Sequence, residues 1–419
     1  MGEKNIREIE KIHNSMQGML SHVERKYPDR KWMYEPAAKY FELIYEDLGK
    51  DSPVAWYFFL IAPELFRAMG IATFSGEYLG SVLCSFPGGI TKYLDLAEQR
   101  VPESMCSANK CTLGAALSGD FPSPDMLIHV PAHPCDSASI LYPTLAEYLG
   151  IPQFCLDTPY RDDERSYRYF AAEFEKLISF LEEQTKQKLD LDRLRQVIAY
   201  SNQAQEYVIK VNELKRNVPC PVSSRASAIA AGAIMGLAGT PFLVDWYKNQ
   251  YETAIERVKR NEGALAEEKI RVAMIWLTTS FDLGILEWMA SEYGAIVVTD
   301  LLNLWINQPI EDTSSLSKIA YGLASKTLKA PMGRHGRGPV DMLLNEVVNA
   351  CKDYKADAAI FAGHIGCKYG WASAKLLKDA IQDEVGIPSL FFDFDANDPR
   401  VASSETIKAK MEQFFETFL

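Results

Sequence analysis

This sequence predicts two α/β halves, each built on a parallel sheet, with helical segments at the N-terminus and in the middle. Three observations carry that prediction. Short apolar runs alternate with helical stretches in two separate regions, which is the pattern of parallel sheets crossed by helices. Two segments echo each other, D-M-L-I-H-V-P-A-H-P-C from Asp125 to Cys135 and D-A-A-I-F-A-G-H-I-G-C from Asp357 to Cys367, both running ten positions from Asp to Cys with a His just before the Cys. Downstream of each comes Gly-Ile-Pro and another apolar run, at Gly150 and at Gly386; a repeat of such long period implies two similar units. The length, 419 residues, suits two to three domains.

In order along the chain, residues 1–50 read as amphipathic helices with charged faces. The first α/β region, 51–160, has strands expected at Val54 to Ile61, Ile71 to Phe74, Asp125 to Val130 and Ile151 to Leu156, with Pro63 opening a helix. Residues 161–265 read as helical. Asp162 to about Thr185 and Asp190 to about Lys215 form two long helices, the second capped by Asp190. The second α/β region, 266–419, has strands expected at Val272 to Leu277, Ala295 to Thr299, Ala358 to Ala362 and Ile387 to Phe392. A helix from about Ser404 to Phe418 closes it.

Composition narrows the function. Hydrophobic residues are 47% and charged residues 24%, ordinary for a soluble globular protein. Lys and Arg number 44 against 56 Asp and Glu, a formal charge of −12. Such a chain is a poor binder of nucleic acid or anionic membranes. The charged N-terminus lacks the apolar core of a signal peptide. Ala226 to Val244 carries no charge for 19 residues. Its Ala and Gly content predicts a packed helix rather than a membrane span, near an interface or cofactor. These readings point to the cytoplasm, where the eight cysteines are thiols, metal ligands or catalytic groups rather than disulfides.

Ligands of a parallel sheet bind beyond the carboxyl ends of its strands. Cys135 and Cys367 each follow a strand and would meet in one cleft. Cys106 and Cys111 sit in a loop running into a helix, where backbone N–H groups favour an anionic sulfur. Cys220 lies between two prolines, in irregular chain. Cys155 is near a strand end, equally suited to core or ligand. Cys84 and Cys351 end helices that should reach the far edge of each sheet, and read as core. His133 and His364 can be ligands, acids, donors to cluster sulfur, or structural histidines satisfied within the fold, with the donor role preferred. Arg334 and Arg337, in P-M-G-R-H-G-R-G-P, form either a solvated loop or an anion site. The spacing is loose for structural zinc, and thiolates from distant loops suit an iron–sulfur cluster. No G-x-x-x-x-G-K-[ST] occurs, and no G-x-G-x-x-G follows a strand.

At these residues the sequence resembles the 2-hydroxyacyl-CoA dehydratase and benzoyl-CoA reductase family. C-S-A-N-K-C-T-L-G at Cys106 is similar to its first cluster motif, P-A-H-P-C-D-S at Cys135 to its Cys-Asp motif, and H-I-G-C-K at Cys367 to its Cys-Lys motif. F-F-D-F-D-A-N-D-P-R-V-A-S-S-E-T-I, Phe391 to Ile407, fits its tail. The resemblance implies Rossmann-like halves, a cluster between them, a dimer, and a separate ATPase with its own iron–sulfur cluster that delivers low-potential electrons. Cys106, Cys135 and Cys367 match the family positions and suffice for one 4Fe–4S cluster. Cys111 and Cys220, with Cys155, are additions. They make the chain more similar to the double-cubane cluster branch, which holds a fused 8Fe–9S cluster on six cysteines. That branch implies a homodimer that reduces small unsaturated molecules. A 4Fe–4S subunit of a dehydratase or benzoyl-CoA reductase is the alternative. A scaffold stabilised by metal, without redox chemistry, is the reading from another class.

Overall fold

A computed structural model of the chain describes residues 5–86, 88–306 and 308–418. Helices α1 (Arg7–Lys26) and α2 (Glu35–Gly49) pack as a pair. Ile9, Ile12, Met16 and Val23 form the buried stripe of α1, at the spacing of one helix face. The first α/β unit then runs β1 (Val54–Tyr57), α3 (Glu64–Ala68), β2 (Ala72–Phe74), α4 (Gly76–Leu83), α5 (Thr91–Glu98), α6 (Ser107–Ser118), β3 (Met126–His129), α7 (Asp136–Leu149) and β4 (Gln153–Cys155). Four helices follow: α8 (Glu164–Thr185), α9 (Leu191–Leu214), α10 (Ser224–Leu237) and α11 (Pro241–Lys259). The second unit comprises β5 (Ile270–Trp276), α12 (Gly284–Tyr293), β6 (Ala295–Asp300), α13 (Leu316–Lys329), α14 (Gly333–Arg337), α15 (Val340–Asp353), β7 (Ala358–His364), α16 (Lys368–Ala380), β8 (Ser389–Phe394) and α17 (Ser404–Phe415).

Both sheets are parallel and have the same order, β2-β1-β3-β4 and β6-β5-β7-β8. The sequence repeat is therefore a structural one, and its fixed residues do the same work twice. Asp125 Oδ2 accepts the N–H of Val54 at 2.7 Å, and Asp357 Oδ2 that of Arg271 at 2.8 Å. Each carboxylate clamps the first strand of its sheet to the third. Pro152 O accepts from Leu127 N and Pro388 O from Ala359 N, so each Gly-Ile-Pro sets the register of the last strand. Gly150 and Gly386 end the preceding helical segments at φ 66° and 75°, a conformation that glycine adopts without a Cβ penalty.

Asp190 caps α9 as expected, accepting from Asp192 N and Arg193 N. The uncharged stretch from Ala226 does not form one helix. It breaks at Ala238–Gly239, and Thr240 caps α11 with Pro241 at its first position. α10 packs on α2, α4 and α12, and reaches the strand β6. It can come this close because Gly236 stands where a Cβ would lie 2.9 Å from the Tyr40 ring. Among the described residues no helix is long and apolar enough to cross a membrane.

One helix does not follow its sequence neighbourhood. α13 lies within 266–419, yet Ile319, Leu323 and Leu328 are buried in the core of the first unit, against α8. Lys326 carries this junction, bonding Glu64 of α3 and Ser201 of α9 in a buried cluster. The basic glycine loop is neither a solvated loop nor an open anion site. It forms α14, where Arg334 binds Glu346 and the carbonyls of Lys329 and Leu304, and Arg337 binds Asp162 and the carbonyl of Arg161. Both guanidiniums are buried and spent on holding the chain together.

Candidate metal centre

Loops from both halves enclose a cavity of about 680 Å³. Cys106, Cys135 and Cys367 line it. Each is the residue immediately before a helix, at the N-cap of α6, α7 and α16 respectively. The positive end of a helix dipole and its unpaired N–H groups favour negative charge there. The arrangement thus aims three helix starts, each carrying a thiol, at one space. Cys135 Sγ already accepts the N–H of Ala138 at 3.5 Å.

Contacts between the halves fix these loops. Lys368, next to Cys367, forms an ion pair with Asp136, next to Cys135. Tyr369 Oη donates to Ala132 O at 3.0 Å. Gly366 lets the β7 loop lie on the backbone of Cys106, where a Cβ would come within 2.4 Å of the Cys106 Cα. Ser107 Oγ donates to Asp395 Oδ1 at 2.6 Å, and Asn397 Nδ2 donates to Ser107 Oγ at 3.2 Å. The segment after β8 is in this way tied to the start of α6.

His364 ends β7 and is buried. Its Nε2 lies 3.2 Å from Cys106 Sγ. Its Nδ1 takes the N–H of Ala396 at 3.2 Å and stands 3.4 Å from Asp395 Oδ2. The first contact suits a neutral ring and the second an imidazolium; in both states Nε2 carries the hydrogen that faces sulfur. Burial opposes charge on His364, but the Asp395 carboxylate and Cys106 outweigh it and raise its pKa to about 9. Burial likewise opposes the Cys106 thiolate, and the His364 charge and hydrogen bond reverse the effect, lowering its pKa. Burial raises Cys135 well above the usual thiol range and Cys367 to about 11.

The six cysteines singled out in the sequence are not brought together. Cys111 lies on α6 but is fully buried, turned toward α4, its Sγ 3.3 Å from where a Gly80 Cβ would be. Burial raises it to about 12. Cys155 is exposed on the edge strand β4. Cys220 is fully buried in a separate cluster with Val211, Val222 and Ala254. Its Sγ donates to Val222 O, and its N–H is held by Glu268. Extended chain between prolines was thus used for packing, and neither Cys155 nor Cys220 reaches the cavity. Cys351 is core, as its helix position implied. Cys84 corrects the expectation of a far-edge residue. α4 has two turns and packs on α6 and α10 rather than back along the sheet. Cys84 therefore stays near the cavity, 3.9 Å from Asn397 Oδ1 and within electrostatic reach of Cys111.

For His133 the structural alternative holds rather than the sulfur-donor role: its Nε2 bonds Thr158 O at 2.6 Å. The two histidines are one register step apart: His133 precedes its cysteine by two residues and His364 by three. His364 is the last residue of β7, whereas His133 lies in the turn beyond β3, so the two rings are presented by different backbone. Sequence reasoning missed Asp395, Asn397, Ser107 and Trp276. Asp395 and Asn397 lie in the tail phrase from Phe391 to Ile407, where the sequence assigns them no role.

The donor set fits an iron–sulfur cluster. Among the described residues no three His, Cys, Asp or Glu side chains converge to hold a single ion. The thiols surround a space instead, which suits several irons bridged by sulfide. The indole N–H of Trp276 is buried with no well-formed hydrogen bond, and it points near enough to the Cys367 sulfur to offset a small part of the rise that burial causes there. An orphan donor beside a thiol is what a cluster sulfur would satisfy.

Residues 60–418 match the family model described as 2-hydroxyglutaryl-CoA dehydratase, D-component. The chain is 24% identical over 342 residues to a benzoyl-CoA reductase subunit of Thauera aromatica, covering 75% of this chain and 76% of that one. It is 22% identical over 316 residues to the (R)-phenyllactyl-CoA dehydratase alpha subunit of Clostridium sporogenes, covering 73% and 74%. One relative is named as a reductase and the other as a dehydratase, so kinship supports an enzyme without choosing between the two reactions. With the match spanning every strand but β1 and all three cavity cysteines, the chain belongs to the 2-hydroxyglutaryl-CoA dehydratase D-component family.

Proposed function

We propose that this protein is an iron–sulfur reductase of small, largely apolar unsaturated molecules. The observation that carries the reading is the set of three cavity thiols at three helix starts, one of them hydrogen-bonded by a buried histidine. Cys106, Cys135 and Cys367 would hold the cluster. A bound cluster would supply low-potential electron storage and, at an iron without a protein thiol, a place for substrate. His364 orients and hydrogen-bonds the Cys106 sulfur, and Asp395 holds His364. Phe58, Phe59, Met235 and Phe281 give the cavity apolar walls that exclude water.

Among the described residues the lining has one Lys or Arg, Arg225, and Glu287 engages it at 2.7 Å. A CoA ester brings several phosphate charges that ask for more cations than that. This supports a substrate without CoA over the thioesters named for the relatives. Electrons would come from a separate ATP-hydrolysing iron–sulfur activator, because this sequence carries no phosphate-binding loop. All three thiols belong to one chain, so a homodimer needs no second kind of chain to complete the site.

Three anchors favour one 4Fe–4S cluster. A second reading, the double cubane, would draw on Cys84 and Cys111, which lie within electrostatic reach of each other, rather than on Cys155 or Cys220. Iron and sulfide analysis of anaerobically purified protein tests both. About four irons per chain support the single cluster and about eight the double one. Stoichiometric zinc, or no metal after anaerobic reconstitution, contradicts the reading.

A further inference from the structure

The cavity also contains a carboxyl group that the thiols do not use. Glu77 lines it from the first turn of α4 and is only 5% exposed. Tyr142 Oη lies 3.0 Å from Oε1 and 3.1 Å from Oε2, and Ser75 Oγ donates to Oε2 at 3.0 Å. These partners are hydroxyls, not cations. The contrast with Glu64 is informative. That carboxylate is also buried, but Lys326 neutralises it and it plays a packing role. Glu77 is instead presented to a cavity, and Tyr142 is itself held in place by stacking on His129.

We propose that Glu77 is a catalytic residue that passes the proton of its carboxyl group to substrate bound in the cavity. This rests on the reading of the cavity as the place of reduction. For a carbon–carbon double bond, two electrons from the external one-electron donor and two protons enter. The Glu77 O–H bond breaks and a C–H bond forms at the carbon receiving the electrons. Glu77 is left as a carboxylate, stabilised by the Tyr142 and Ser75 hydroxyls. Water returns its proton before the next turnover, and the second proton also comes from water.

The pH dependence follows from the surroundings. Burial raises the Glu77 pKa to about 7, and the hydroxyl contacts offset only part of that. The groups facing it are Tyr142 and Cys135 from α7, Cys111 from α6, Tyr40 from α2 and Tyr57 from β1; Arg225 of α10 lines the same cavity, paired with Glu287. Burial raises the pKa of each of those thiols and phenols, so Glu77 is the member of the group that changes charge near neutrality. Turnover that needs its proton falls as pH rises through about 7.

The test uses the anaerobic holoprotein with its electron donor. Glu77→Gln, Glu77→Asp and Tyr142→Phe are compared for iron content, reduced-state spectrum, pH–rate profile and infrared titration of the protonated carboxyl. Glu77→Gln is expected to keep iron and spectrum, lose about 10²-fold or more in turnover, lose the limb near neutrality, and lack the carboxyl band. Glu77→Asp recovers part of the rate, and Tyr142→Phe moves both limb and band to higher pH. Glu77→Gln turning over within about threefold of wild type with the limb intact overturns the proposal. So does a wild-type protein with no carboxyl band titrating near neutrality. A wild type that holds no iron overturns the functional reading and this proposal together; normal wild-type turnover with a silent Glu77→Gln overturns this proposal alone.

Discussion

The segments that carry β3 and β7 and their following loops are the same device used for different chemistry. Both start at a carboxylate that clamps two strands, Asp125 and Asp357. Both end ten residues later at a cysteine opening a helix. Between those points they diverge. In the second half His364 ends the strand and faces a sulfur; in the first, His133 lies one residue nearer its cysteine, in the turn beyond β3, and binds the Thr158 carbonyl. The third thiol, Cys106, comes from the α4–α6 excursion between β2 and β3. The corresponding excursion between β6 and β7 carries Arg334, His335 and Arg337 instead, all engaged internally. A repeated scaffold thus supplies matched anchors, while the insertions and one register step supply the asymmetry that chemistry needs.

The largest effect short of losing the site belongs to Glu77, on the first half only. Its folded pKa is raised from 4.5 to about 7. Its contribution to stability is thus complete below the unfolded pKa and is lost as pH rises through the folded one. Unfolding of wild type against Glu77→Gln should show a relative loss of about 3 kcal/mol between pH 4.5 and 8. A flat difference across that range would show that burial does not hold the group protonated. Next come the matched clamps. Asp125→Ala and Asp357→Ala should each cost about 1–3 kcal/mol in denaturant unfolding. A large inequality between them would break the equivalence of the halves. The smallest effect separates the histidines. His133→Gln should cost about 1 kcal/mol and leave the cluster's redox titration unchanged. His364→Ala should move the midpoint potential, because it removes a hydrogen bond donor from the Cys106 sulfur. Identical titrations for both would mean that the register step has no chemical consequence.

The sheets were legible in the sequence because their signals are local. Short apolar runs, the Asp-to-Cys spacing and Gly-Ile-Pro each act within one strand and its neighbour. Cys135 and Cys367 followed from the same logic, being a fixed distance beyond strand ends. The residues that were misplaced depend on packing between distant segments. Cys220 looked free of a packing role until α9, α11 and the second unit closed around it. Cys84 was sent to the wrong edge because the direction of α4 is set by α6 and α10, not by its own residues. The docking of α13 on the first core has no local signature at all. Glu77 did leave a trace: it is the lone charge in I-A-T-F-S-G-E-Y-L-G-S-V-L-C, Ile71 to Cys84. A single carboxylate in an otherwise uncharged run that enters a helix is worth reading as buried.

The central claim is that one thiol from each equivalent loop, together with Cys106, holds a cluster between the halves. Iron content and the spectrum of the reduced protein, measured side by side in Cys135→Ala, Cys367→Ala, Cys155→Ser and Cys220→Ala after anaerobic purification, test it most directly. The account predicts that the first two lose the cluster to the same extent, while Cys155→Ser and Cys220→Ala keep wild-type iron and spectrum. Full iron in Cys135→Ala or Cys367→Ala, or iron loss confined to Cys155→Ser and Cys220→Ala, would contradict it.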